Sequence, residues 1–158
     1  MQKKQKRQSR VFALQMLFSM EMIHGEIEKN IPVHMDFNKK ASVEIREYAD
    51  FLVKGVSENI ALIDEMLKKY CENWAIDRLA TVDLNILRIG TFELMFCSGV
   101  PSAVIINEAI EISKFYSSED SHGFINGVLD RVRKEVRDKV IVQEISTKAN
   151  IISNQQEL

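Results

Sequence analysis

Sixteen consecutive residues, VDLNILRIGTFELMFC from Val82 to Cys97, are apolar on almost every side of a helix. A helix that is hydrophobic all round belongs in an interior, so this segment is expected to be the buried central element. Its few polar residues are Asp83, Asn85, Arg88, Thr91 and Glu93. Gly99 and Pro101 stop it, a glycine at the C-cap and a proline just beyond. Only two prolines and six glycines punctuate the whole chain, which suits an all-helical protein.

Helical spacing recurs on both sides of that segment. Val11, Leu14, Phe18 and Met22 mark a first helix, with Ala13, Leu17 and Met20 alongside and Gly25 as its stop. A loop with Pro32 follows from about Gly25 to Lys40. Ile45, Tyr48, Ala49, Leu52, Val53 and Val56 mark a second helix, and Ile60, Ile63, Met66, Leu67 and Tyr70 a third. Ser57 to Asn59 divides them, because Ser and Asn favour caps over helix interiors. Trp74 to Leu79 reads as a short turn, with Thr81 or a neighbour capping the central helix. Ser102 caps SAVIINEAIEISKFY, whose apolar side is Val104, Ile105, Ala109, Ile112 and Tyr116. SSEDS is a loop. Asp120 or Ser121 then caps a helix with Phe124, Ile125, Val128, Leu129, Val132 and Val136, in which Gly127 is expected to admit a close neighbour. From Lys139 the chain is expected to be short helix or coil, and NQQEL disordered.

Length and composition narrow the class. The 158 residues make one ordinary domain or two small lobes sharing a core. The 46% hydrophobic and 28% charged residues are a soluble globular balance. No apolar run approaches the ~18 residues that cross a bilayer, and no apolar stretch follows the basic opening as a secretory signal requires. Cys71 and Cys97 alone make neither a disulfide framework nor a zinc site. A reducing, cytoplasmic setting is expected.

Charge is uneven. Of the 21 basic side chains, Lys3, Lys4, Lys6, Arg7 and Arg10 stand in the first ten residues with no acid, which leaves 16 against all 23 acids. A basic arm on an acidic body points to nucleic acid or a membrane surface, or to a solubilising terminus. Phosphate contacts supply most of the affinity for nucleic acid. Aromatic rings beside a basic groove stack on unpaired bases, and Phe18, Tyr116 and Phe124 are the candidates, with core packing as their plain alternative. If Arg7 and Arg10 lie on helix, they share a face.

No catalytic motif is present: no GxxxxGK[ST], GxGxxG, HExxH, CxxC or GxSxG. The cysteines read as buried structural thiols, and His24 and His34 as surface residues without ligand spacing. Glu119, Asp120, Ser121 and His122 hold the residue types of a hydrolase triad, but consecutive residues cannot face each other in a relay. They read as a helix start. Glu108, Glu111 and Lys114 read as a solvated charge row. The sequence argues against an enzyme, a cofactor or a metal.

RVFALQMLFSME, WAIDRLATVDLNILRIGTFEL, VPSAVIINEAIEISKFYSSEDS and GFINGVLDRV resemble, in order and spacing, the signature blocks of the NusB family of bacterial transcription antitermination factors. The match runs over roughly residues 3 to 138. The resemblance implies an all-α fold of about seven helices in two small perpendicular bundles, with residues 1–138 as the RNA-binding domain and 139–158 as a C-terminal extension. It implies binding of single-stranded boxA leader RNA as a heterodimer with NusE, a small-subunit ribosomal protein. The pair joins the RNA polymerase elongation complex and promotes read-through in ribosomal RNA operons. By this resemblance Lys3, Lys4, Lys6, Arg7 and Arg10 are the basic RNA-binding motif, Phe18 a ring that approaches RNA, and Gln15, Tyr116, Asp120 and Phe124 further positions on that surface. Asp77, Asp83 and Arg88 fall on the NusE side. The extension is disordered, covers the partner face or supports a homodimer. A helical protein–protein module without RNA affinity is the competing class. An RNA methyltransferase, on which this fold occurs as an N-terminal domain, is another, but no cofactor-binding domain follows here.

Overall fold

The structure is a computed structural model that describes residues 1–23, 41–71 and 76–156, without the side chains of 141, 142, 144, 145 and 148–156. The Gly25–Lys40 loop, His24, His34 and Trp74 lie outside the described residues. Those described form six α-helices and a 3-10 turn, with no strand: α1 (Lys3–Met22), α2 (Val43–Glu58), α3 (Ile60–Tyr70), the turn Ile76–Arg78, α4 (Thr81–Phe96), α5 (Ser102–Tyr116) and α6 (Ser121–Gln156). None of these helices is long and apolar enough to cross a membrane.

The central segment behaves as its composition demands. Every residue from Asp83 to Glu93 is buried, and α4 packs against α1, α2, α3, α5 and α6. Around it close Leu17 and Met20 of α1, Leu52 of α2, Ile63 and Leu67 of α3, and Ile125 and Leu129 of α6, each 0–1% exposed. α1 lies most extensively on α2, and α5 on α6.

Two close approaches need glycine, and neither is at Gly127. A Cβ on Gly55 would overlap the ring of Phe92, and one on Gly90 would meet a Leu129 methyl at 2.9 Å. Gly127 is exposed with nothing within 4 Å of its Cβ direction, so the expected packing role there does not hold. Its helix faces the core with Ile125, Val128 and Leu129 instead.

Other expectations shift by a residue or a face. Ala80, the neighbour of Thr81, is the N-cap of α4, whereas Pro101 and not Ser102 is that of α5, and no side-chain cap bond is made at either. At α5 the Pro101 carbonyl closes the first turn itself, accepting from the amides of Val104 and Ile105 at 2.9 and 3.2 Å. On α1 the buried face is Ala13, Leu14, Met16, Leu17 and Met20, while Phe18 and Met22 turn outward. The residues from Lys139 to Gln156 continue α6 rather than starting a new element. Its 36 residues make a rod of roughly 54 Å. A polar knot ties the rod to α3: Glu135 accepts from Lys69 and Lys139, at 2.8 Å each, and from the Tyr70 hydroxyl. Lys139, Lys69 and Tyr70 together hold the Glu135 carboxyl down at about 2.

Candidate nucleic-acid interface

The basic arm is helical from Lys3 onward, so helical phase decides where each cation goes. Lys3 and Lys4 are exposed and Lys6 is half-buried, its ammonium 6.0 Å from the centre of the Tyr48 ring. Arg7 and Arg10 go elsewhere. Arg7 donates through Nε and Nη2 to both oxygens of Glu108, at 2.6 and 2.9 Å. Arg10 donates through the same two atoms to Glu93, at 2.9 Å each, and the Tyr48 hydroxyl donates to Glu93 at 2.6 Å. Arg7 and Arg10 do share a face of α1, but that face turns to Glu108 and Glu93, and Arg10, 2% exposed, is not on the surface.

These pairs set local electrostatics. The hydrogen bond from Arg7 holds the Glu108 carboxyl below the usual carboxylate range, against the opposing effect of burial. Burial, the largest single influence, would lower the Arg10 pKa, but the Glu93 hydrogen bond together with the charges of Glu93, Tyr48 and Glu108 leaves it raised. Burial, then Glu93, pushes the Tyr48 phenol up. Glu108 is therefore an interior anion and not part of a solvated row, although Glu111 and Lys114 do pair at 2.7 Å.

One exposed stripe leads away from the lysines. Lys4, Gln8, Gln15, Phe18 and Met22 are all exposed, at spacings of three, four or seven that place them on one side of α1. Lys4 and Phe18 are separated by about 21 Å along the helix axis. The stripe thus has a cationic end and an aromatic end joined by two glutamines.

The aromatic end gathers at the start of α4. Glu21, one turn beyond Phe18, accepts from Asn85 at 2.8 Å, which fixes the last turn of α1 to α4. Asp83 accepts from the Ser117 hydroxyl and, at 2.8 Å, from Ser121, which fixes the loop after Tyr116 to the same turns. Tyr116 is 44% exposed and Asp120 is exposed, whereas Phe124 is half-buried against the core. Phe115, next to Tyr116 in the chain, is 80% exposed and was missed in the sequence. It follows Ile112 by three, the spacing of a core residue, so periodicity gave no signal.

Two residues expected on a partner face are internal. Asp83 and Arg88 are each 8% exposed. Asp83 receives the two serines just named. Arg88 reaches both oxygens of Asp64 at 2.9 Å and Glu21 at 3.4 Å, clamping α3 and α1 onto α4. Only Asp77, in the 3-10 turn, is exposed. The triad-like residues do not form a relay either, since the Ser121 hydroxyl goes to Asp83 and His122 Nδ1 has no partner. Cys71 and Cys97 are free thiols, both pushed up by burial, Cys97 to about 11 with Glu93 contributing. Among the described residues no group of three or more His, Cys, Asp or Glu side chains is placed to hold a metal ion.

A basic, glutamine-lined and aromatic strip on a helical scaffold suits an unpaired nucleic-acid strand. Comparison with known proteins gives it a family. A sequence model of the NusB family matches residues 7–134. The chain belongs to the NusB family. It is 42% identical to the transcription antitermination protein NusB of Geobacter sulfurreducens over 134 residues, 85% of this chain and 97% of that one. It is 44% identical to the NusB of Sorangium cellulosum over 124 residues, 78% and 88% of the two chains. Its fold is similar to that of T. maritima NusB, with a TM-score of 0.75 at 37% identity over 82% of this chain and 91% of that one. It is also similar to a chain in the crystal structure of the antitermination factors NusB and NusE in complex with dsRNA. There the TM-score is 0.74 at 25% identity, over 84% and 98% of the chains. The all-α NusB-like architecture expected from the signature blocks is therefore the one found.

Proposed function

We propose that this chain is a transcription antitermination factor that binds single-stranded boxA-type RNA together with NusE. The pair joins the RNA polymerase elongation complex and promotes read-through in ribosomal RNA operons. The role is regulatory, needs no cofactor and performs no chemistry, and it is exercised in the cytoplasm. The observation that carries the reading is membership of the NusB family at 42% identity to a transcription antitermination protein. The relative solved with NusE and dsRNA supports both kinds of partner.

The RNA surface in this reading begins at Lys3, Lys4 and Lys6, passes Gln15 and ends on Phe18, Tyr116 and Phe124. Asp120 tempers attraction at the far end. Asp77 is the candidate on the NusE side. Residues 1–138 form the binding body, and 139–158 an extension of it.

Titration of a labelled single-stranded boxA RNA, with and without NusE, tests the reading. Affinity is expected to fall with salt at a log–log slope of about −2, since three surface lysines each release counterions from a single strand. A flat salt dependence would mean a helical adaptor without RNA affinity.

A further inference from the structure

The arm carries two kinds of cation, and the fold treats them differently. Lys3, Lys4 and Lys6 make no ion pair among the described residues. Arg7 and Arg10 each present a guanidinium fork to a carboxylate whose own side chain is 1% exposed. Such bidentate pairs fix both partners in one geometry. Their carboxylates stand on two different helices, Glu108 on α5 and Glu93 on α4, so the first turns of α1 are held from two directions. An arginine that left for a phosphate would strand a buried anion, and an unpaired buried charge is far more unfavourable than one exposed phosphate contact is favourable.

We propose that Arg7 and Arg10 are positioning residues, pinning the arm as helix onto Glu108 and Glu93, and that Lys3, Lys4 and Lys6 meet the phosphates. This rests on the RNA-binding reading above. It assigns the arm's arginines and lysines separate work, although in sequence they form one basic cluster.

Glu108→Gln separates the two possibilities by sign. The substitution removes a negative charge beside the strip and frees Arg7. If Arg7 touches phosphate in the complex, RNA binds more tightly. If Arg7 is a pin, the arm frays and RNA binds more weakly, by about fivefold, the equivalent of one lost hydrogen-bonded pair. Arg7→Lys is the second variant: it keeps the charge and loses the fork. Because Arg7 is part-exposed, it folds even where a change at the buried Glu108 does not.

The experiment measures binding of single-stranded boxA RNA, in the presence of NusE, across a salt series. It compares the wild type, Glu108→Gln, Arg7→Lys and the triple variant Lys3→Ala, Lys4→Ala, Lys6→Ala. Both single variants are expected to weaken binding about fivefold with an unchanged salt slope. Amide hydrogens of residues 3–10 should exchange faster in each. The triple variant is expected to lose about 2 from the slope. Tighter binding by Glu108→Gln, unchanged affinity in Arg7→Lys, or an unchanged slope in the triple variant overturns the proposal. A wild type that binds no RNA at any salt overturns the functional reading itself, and the division of labour with it.

Discussion

Gly55 and Gly127 both interrupt helices, but they answer to different demands. Ala at Gly127 meets open space, so the substitution removes only backbone entropy and is expected to stabilise by about 0.5–1 kcal/mol. Ala at Gly55 overlaps Phe92, which sits between the rings of Phe51 and Phe96 at 5.5 and 5.3 Å. Overpacking there is expected to destabilise by about 1–3 kcal/mol despite the better helix propensity. Urea unfolding of the two variants checks both signs. Arg10→Met belongs to the same scale. It leaves Glu93 buried without its main partner, and a loss of roughly 3–5 kcal/mol is expected in urea unfolding. Changing Glu93 to Gln as well should recover part of that loss, because the stranded charge is removed. Both effects depend on what stands opposite the residue, and no local signal distinguishes Gly55 from Gly127 or Arg10 from Lys6.

Among the helices, α4 was the most legible and the end of α6 the least. An all-round apolar segment has one physical solution, burial, and α4 takes it. The last fully buried α6 side chain among the described residues is Val132. Beyond it VIVQEI alternates like a strand, so two-residue and helical periods compete. The helix wins because each backbone group finds its partner within the segment, whereas a lone strand has none. A chain ending at Lys139 keeps every buried residue named above and the Lys139–Glu135 pair. It is expected to match the full chain in unfolding free energy within ~0.5 kcal/mol, the range of surface changes. A larger drop in a urea titration would show that the rest of the rod holds the body together. Helix starts were read less well than helix bodies, since Pro101 takes the cap that Ser102 suits better by type.

The molecule as a whole should answer to acid. The folded pKa of Glu108 is depressed by Arg7, and that of Glu135 is depressed to about 2 by Lys139, Lys69 and Tyr70. A carboxylate with a depressed folded pKa contributes stability that is fully present above its ordinary value of 4.5. That stability is lost as pH falls from there through the folded value, for Glu135 between 4.5 and about 2. Urea midpoints measured from pH 7 downward are therefore expected to hold until about 5 and then to fall. Glu108→Gln should start lower and fall less steeply, and an equal slope would mean that the Arg7 pair does not couple to folding.

The amino-acid sequence by itself determined the all-α class, the buried central helix, the basic arm and the family, because helical periodicity and ordered signature blocks are local records. Only the tertiary structure decided which cations stay free. Arg7 finds its acid 101 residues away and Arg10 finds its acid 83 residues away. The same holds for Asp83 and Arg88, whose carboxylate and hydroxyl partners arrive on other segments of the chain. A helical period states which face of a segment is apolar, whereas the partner of a charge depends on how separate segments are brought together.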